Sequence, residues 1–366
     1  MTGPVPKDGI LDIAPYVGGD ATAEDGSKAI KLSANESPLG PSPHAVAAFT
    51  RAAEDLHRYP DGGADRLREA LGRAAGLAPE RIVCGNGSDE IIGLLIRAYA
   101  GPGDEVLYSR HGFLMYKLGA MAAGAIPVTA PEENYTASVD ALLAAVGERT
   151  RMVFLANPNN PTGTYLPAAE VARLHAGLPD DVLLVIDSAY AEYVGRNDYS
   201  AGIELVDGAR NVVMTRTFSK IHGLAALRLG WAYCPAEVAA IYHRVRPPFN
   251  VNAAAQAAGI AAIEDLAHVD AASRHNEVWL PWLGDQLGAL GLDVVPSVGN
   301  FVAVEFDESG ARTADAALAF LQRRAILPRN IAAYGLPNHV RITVGLEDEN
   351  RAVVDAVAEF LAADND

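Results

Sequence analysis

The run TFSKIHGLAALRLGW (217–231) puts Lys220 directly after Ser219, ahead of a stretch of Gly, Ala and Leu, with Arg228 eight positions on. Lysine is seldom found among residues that prefer the interior. A partly desolvated lysine loses part of its affinity for a proton and becomes a nucleophilic amine, able to form a Schiff base with a carbonyl. Thr217, Ser219 and Arg228 are groups that can hold a phosphate beside it. Upstream, VLLVIDSAY (182–190) carries Asp187 at the end of an apolar run, with Tyr190 three positions later. A carboxylate there is partly buried and needs a partner. GNGSDE (85–90) joins glycines to the open N–H groups of a starting helix, an anion site suited to a phosphate. NPNNPTG (157–163) is an irregular loop that can turn the Asn160 amide into a pocket. Taken singly, each has an ordinary alternative: a helix cap at Ser88 or Asp89, a surface turn, a structural salt bridge at Asp187, a surface lysine at Lys220.

The elements that must position these residues read as an α/β fold. RIVCGNG (81–87), DEVLYS (104–109), AIPVTA (125–130), RMVFLANP (151–158), VLLVIDSAY (182–190) and NVVMTRTF (211–218) are short Val-, Ile- and Leu-rich runs, the pattern of buried strands. Amphipathic helical segments at 88–100, 112–123, 138–147 and 167–177 alternate with them, which implies a mostly parallel sheet with helices on both faces. In such a sheet ligands bind at the carboxyl ends of the strands, and that is where the polar clusters fall. Past residue 250 the pattern changes to a long helical stretch (252–290), then short strands within 292–306, 325–331 and 339–345 and helices at 313–324 and 348–363. This suits a smaller α+β domain. The expected division is an arm at 1–45 packed on the small domain, a large domain at 46–265 and a small domain at 266–366.

Composition narrows the function classes. Half of the 366 residues are hydrophobic and the formal net charge is −17, with a pI of about 4.9. A phosphate backbone needs a basic face, so nucleic acid is excluded as a partner. Two cysteines, Cys84 and Cys234, make no disulfide framework and no metal motif. The N-terminal residues contain no apolar signal core, and no apolar run approaches the ~18 residues of a membrane span. The expectation is a cytoplasmic protein with no metal.

Together, a strand-end carboxylate, a Schiff-base lysine, a phosphate cup and a loop asparagine are what pyridoxal 5'-phosphate requires of a protein. The aspartate would keep the pyridine nitrogen protonated, so that the ring draws electrons from the substrate α-carbon. The lysine would hold the cofactor as an imine and then shuttle the α-proton.

The sequence resembles the class I/II aminotransferases of pyridoxal-phosphate fold type I, and within them the histidinol-phosphate group. LSANESPLGPSP (32–43), RYPDGG, GNGSDE, NPNNPTG, TFSKIHGLAALRLGW, PFNVN and LPNHVRITVG match in order over nearly the whole chain. The resemblance implies amino transfer between histidinol phosphate and 2-oxoglutarate. It implies Lys220 as the imine lysine, Asp187 on the pyridine nitrogen, Tyr190 and Asn160 on the ring's phenolic oxygen, and Phe113 stacked on the ring. Ser88, Asp89, Thr217, Ser219 and Arg228 would form the phosphate cup. Tyr59 would reach the phosphate of a neighbouring subunit in a homodimer. Arg341, with Arg329 nearby and Asn160, would grip the anionic end of the substrate. The sequence departs from the pattern at Ser188, where many relatives carry glutamate, and at Ala226, where glycine is frequent. An aromatic amino-acid aminotransferase shares most of these motifs, a threonine-phosphate decarboxylase shares the fold, and a non-catalytic binding protein is the alternative of a different class.

Overall fold

The computed structural model describes residues 3–4, 6–7, 9–15, 18 and 29–363. Much of the expected N-terminal arm, including 19–28, lies outside the described residues. Its last part is ordered by a strand. β1 (Ile30–Lys31) pairs in parallel with a distant strand of residues 326–327, and Leu32 is buried behind it.

Seven strands form the large sheet. β2 (Ile82–Gly85), β3 (Glu105–Ser109) and β4 (Ile126–Ala130) come first. After a small hairpin of β5 (Glu132–Glu133) and β6 (Thr136–Ala137) come β7 (Thr150–Ala156), β8 (Leu183–Asp187), β9 (Val212–Thr217) and β10 (Gly230–Tyr233). The spatial order is β2-β10-β9-β8-β7-β3-β4. All run parallel except β10, which is antiparallel to both neighbours. Every residue of β2 and β8 is buried, because helices cover both faces. One face packs Leu67, Leu155, Leu184, Ile186 and Phe218; the other packs Val83, Ile92, Phe154, Val185 and Tyr116. Each such side chain, fully buried, contributes about 1.5–3 kcal/mol.

The second sheet is antiparallel: β11 (Asp293–Val295), β12 (Phe301–Glu305), β14 (Arg329–Asn330) and β15 (His339–Thr343), in the order β11-β12-β15-β14. β13 (Ile326–Leu327) is the partner of β1. In β15, Val340 and Ile342 join the core under the helix Glu347–Ala362, while Arg341 and Thr343 point the opposite way.

The sequence expectations differ from the structure at three places. The 252–290 stretch is two helices, Ala253–Glu264 and Leu266–Ala289, broken at Asp265. Asp265 caps the second helix through the His268 N–H and accepts a hydrogen bond from Ser42. β10 is an additional strand, only four residues long, inside the lysine motif. The segments 292–306 and 325–331 each hold two strands, β11 with β12 and β13 with β14, where two or three strands are expected over the whole of 292–345.

Candidate active site

The carboxyl ends of β2, β3, β7, β8 and β9 surround one cavity. Its lining includes Ser88, Asp89, Phe113 and Asn160, then Asp187 and Tyr190, then Thr217, Ser219, Lys220 and Arg228, with Ala156, Pro158 and Ala189. Ten of the sequence-predicted positions therefore meet in one place.

The Lys220 amine is buried, and its Nζ donates to the main-chain oxygen of Ala34 at 2.8 Å. Burial, followed by the Arg341 guanidinium, lowers its pKa to about 7. Tyr190 lies beside it, with its ring centroid 5.6 Å from Nζ. The Tyr190 hydroxyl accepts from Asn35 Nδ2 at 2.9 Å, and burial raises its pKa. Asn35 is held in turn by Thr343 of β15: its N–H donates to Thr343 Oγ1, whose hydroxyl donates back to Asn35 Oδ1. The sequence motif ANES thus braces two residues of the cavity, Lys220 and Tyr190.

Asp187 closes the other end. It is 5 % exposed. Tyr116 donates to Oδ2 at 2.7 Å, and Thr215 donates to Oδ1 at 3.1 Å. Burial raises the carboxyl pKa to about 6, against the lowering effect of these donors.

The anion cradle lies at the start of the helix Ser88–Tyr99, whose N-cap, Gly87, offers no side chain to its N–H groups. Gly87 has φ +87°, and a Cβ there would come within 2.7 Å of an Arg228 guanidinium nitrogen. A side chain at Gly230 would collide with the backbone of Gly87 and Ser88. These two glycines let β10 and the Arg228 side chain close on the helix start. Arg228, itself left-handed at φ 53°, donates to Ser219 Oγ at 3.3 Å and to Asp89 Oδ2 at 3.1 Å. Thr217 Oγ1 accepts from the Ser219 N–H and shapes the turn. The cradle, a buried acid and a low-pKa amine share one cavity, which is the donor set suited to a phosphorylated pyridine aldehyde.

Three predicted residues do not line this cavity. Arg341 is one bond removed: it donates to Asn160 Oδ1 and, at 2.7 Å, to the oxygen of Ser33. Arg329 faces Arg341 across the β14–β15 pair and lines a separate cleft with Lys117 and Asp12. Tyr59 is 82 % exposed and stacks on Phe249, centroids 4.6 Å apart. Sequence reasoning missed Tyr116, Thr215, Asn35 and the carbonyls of Ser33 and Ala34. Asn35 and Thr215 lie inside quoted runs and Tyr116 in the helical segment 112–123, where only its closeness to Phe113 could have flagged it. Ser188, one of the departures, is buried and donates to Ala201 O at 2.9 Å, away from the cavity.

The family model "Aminotransferase class I and II" matches residues 27–357. The chain belongs to the class I and II aminotransferases. Within that family it is 59 % identical over 363 residues to the histidinol-phosphate aminotransferase of Paramagnetospirillum magneticum (strain ATCC 700264 / AMB-1), covering 99 % of this chain and 100 % of that protein. It is 59 % identical over 361 residues to the histidinol-phosphate aminotransferase of Rhodospirillum centenum (strain ATCC 51521 / SW), covering 99 % of each. Among solved structures, the histidinol-phosphate aminotransferase of Sinorhizobium meliloti in complex with pyridoxal-5'-phosphate matches with a TM-score of 0.89 and 29 % identity, over 99 % of both chains. No helix among the described residues of this aminotransferase is long and apolar enough to cross a membrane.

Proposed function

We propose that this aminotransferase moves an amino group between histidinol phosphate and 2-oxoglutarate in histidine biosynthesis, with pyridoxal 5'-phosphate as its cofactor. The observation that carries the substrate is the 59 % identity, over the full length, to histidinol-phosphate aminotransferases. Bound in the cavity, the cofactor supplies an aldehyde that takes up the amino group and a ring that accepts the electron pair of the donor's α-carbon.

The chain's own residues do the rest. Lys220, with a pKa near 7, carries a neutral amine on a large share of molecules at neutral pH. Its amine would hold the cofactor at the aldehyde carbon and would serve as the base that takes the α-proton onto Nζ. Asp187 would accept a hydrogen bond from the protonated ring nitrogen and stabilise its positive charge. Its pKa near 6 leaves it mostly ionised at pH 7. Tyr190 and Asn160 would orient the ring oxygen, Phe113 would cover one ring face, and the Ser88, Asp89, Thr217, Ser219 and Arg228 cluster would hold the phosphate. Asp89 serves that cluster by fixing Arg228 rather than by touching an anion, because two negative groups repel. Arg341 receives the anionic end of either substrate. Its guanidinium suits both a carboxylate and a phosphate ester.

The same reading makes the enzyme a cytoplasmic homodimer and divides it into an arm at 1–45, a large domain at 46–265 and a small domain at 266–366. Support for the dimer comes from exposed apolar side chains: Tyr59 and Phe249 stack on one another, both exposed, and Leu56, Phe49 and Val46 are exposed as well. A second copy that covered them would place Tyr59 at the interface, as a shared site requires.

The test is the absorbance change of the cofactor in single half-reactions with histidinol phosphate, phenylalanine and tyrosine. Fast conversion by histidinol phosphate and slow conversion by the other two is the expected result. The reverse order would make the enzyme an aromatic amino-acid aminotransferase.

A further inference from the structure

Behind Asp187 lies a residue that the resemblance does not mention. Tyr116 sits on the first turn of the helix Leu114–Ala123, three positions after Phe113. It is fully buried. Its ring stacks on Phe154 of β7, centroids 4.5 Å apart and planes 16° from parallel. Edge contacts with Phe113 and Tyr108 hold it from two further sides. A ring so enclosed has one place to send its hydroxyl, and that hydroxyl donates to Asp187 Oδ2 at 2.7 Å. Thr215 on the adjacent β9 occupies the other oxygen. The carboxylate is therefore gripped at both oxygens, and its remaining lone pairs are available toward the cavity that it lines.

We propose that Tyr116 is a positioning residue for the amino-transfer reaction: its hydroxyl fixes the plane of the Asp187 carboxylate and keeps it an acceptor toward the cofactor's ring nitrogen. This rests on the role given to Asp187 above. The charge balance around Asp187 explains why such a donor is needed. Asp89, on the helix Ser88–Tyr99, faces it with like charge and disfavours its ionisation. Tyr190, from the loop after β8, and Tyr199 are phenols and bring no positive charge. Lys220 and Arg228 line the same cavity, but neither lies among the main influences on Asp187. Burial pushes the carboxyl toward its neutral form, and the opposing influences are the hydrogen bonds from Tyr116, Thr215 and the Ala189 N–H, with Tyr116 first. A protonated Asp187 would offer a proton to the ring nitrogen instead of accepting one. One segment, Phe113 to Tyr116, would thus set both the ring's stacking partner and the state of its charge partner.

The test uses the affinity of the apoenzyme for pyridoxal 5'-phosphate at pH 6 and pH 8.5, with turnover measured alongside. Tyr116→Phe keeps the ring and its stacking and removes only the donor. Its dissociation constant should exceed that of the unaltered enzyme by on the order of tenfold at pH 6, the usual scale of a hydrogen bond to a charged group. The ratio should shrink at pH 8.5, where Asp187 is ionised in both. Replacing Tyr116 by 3-fluorotyrosine, a stronger donor of nearly the same shape, should shift the pH 6 affinity the other way, and this arm stands even if the phenylalanine variant folds poorly. A ratio independent of pH would mean that Tyr116 is only packing, and would overturn the proposal. Asp187→Asn separates the two failures. If that variant binds and turns over like the unaltered enzyme, the role of Asp187 is wrong. If it is impaired while the Tyr116 ratio is flat, only the role of Tyr116 is.

Discussion

Lys220 and Ala34, 186 positions apart, are joined by a 2.8 Å hydrogen bond from Nζ to the main-chain oxygen. The bond gives a buried amine its partner and ties the segment after β1 to the lysine loop. A carbonyl accepts from an ammonium and from a neutral amine alike, so it holds the side chain in place without fixing its charge.

The Lys220 amine gives the first prediction, and its sign follows from linkage. The pKa is lowered on folding, from 10.5 to about 7. Between those values the unfolded chain binds the proton and the folded chain does not, so this lysine's destabilising contribution is full below pH 7 and is relieved as pH rises toward 10.5. Apoenzyme carrying Lys220→Met should be more stable than the unaltered apoenzyme at pH 6, with the difference narrowing up to pH 10. Denaturant unfolding across that range measures it; a constant difference would mean that Nζ is solvated. Turnover of this variant should be abolished.

Much of the site was legible because the strands are buried on both faces. Their apolar runs are nearly unbroken, so a polar residue that ends one stands out, as Asp187 does after LLVI. Less visible were contacts that follow from packing alone. Tyr116 looks like any core aromatic on an amphipathic helix, and nothing near it in sequence announces the acid at 187. β10 was hidden because GWAY is too short to show a period and lies inside a motif whose chemistry drew attention elsewhere. At the helix break, Asp265 accepts from Ser42, 223 residues away, a contact that no local pattern announces. Arg329 was paired with Arg341 by its family position. Their strands do adjoin, but the Arg329 side chain lines a different cleft.

Asp187→Asn should leave the fold intact, because the hydroxyls of Tyr116 and Thr215 can rotate to serve an amide. Its loss removes a preorganised charge opposite the ring nitrogen, so kcat should fall by roughly 10²–10³. Circular dichroism beside steady-state kinetics checks both halves. A variant that loses its fold would make Asp187 a structural acid.

Tyr59 gives a prediction about assembly. Subunits carrying Tyr59→Ala, mixed and refolded with subunits carrying Lys220→Ala, should form hybrids that regain activity. One of the two sites in such a hybrid has its own lysine and the partner's tyrosine. Recovery of activity on mixing, together with a dimer mass by light scattering, is the expected result. An active monomer would remove the shared site altogether.

The proposed binding of the substrate's anionic end gives the last prediction, which concerns two arginines of the small sheet. Arg341 uses two nitrogens at once, one on Asn160 Oδ1 and one on Ser33 O, with its guanidinium 5.4 Å from the Phe301 ring centroid. The fork keeps Asn160 turned toward the cavity. Arg341→Lys preserves the charge, but one ammonium cannot span both acceptors and an incoming anion. Loss of hydrogen bonds to a charged group typically costs about 1.5–3 kcal/mol, so kcat/KM should fall by roughly 10–100-fold for both half-reactions. Arg329 is different. It lies directly opposite Arg341 in the β14–β15 pair, and side chains opposed in this way share a face of the sheet. It therefore adds positive potential near Arg341 from outside the cavity. A phosphate ester carries close to two negative charges at neutral pH and a carboxylate one, so the same potential acts about twice as strongly on the phosphate of histidinol phosphate as on the α-carboxylate of glutamate bound in its place. Arg329→Ala should lower kcat/KM for histidinol phosphate more than for glutamate, and added salt should shrink the gap because the interaction is partly screened. Equal losses for the two substrates would assign Arg329 to the neighbouring cleft alone and leave Arg341 as the residue that meets the phosphate.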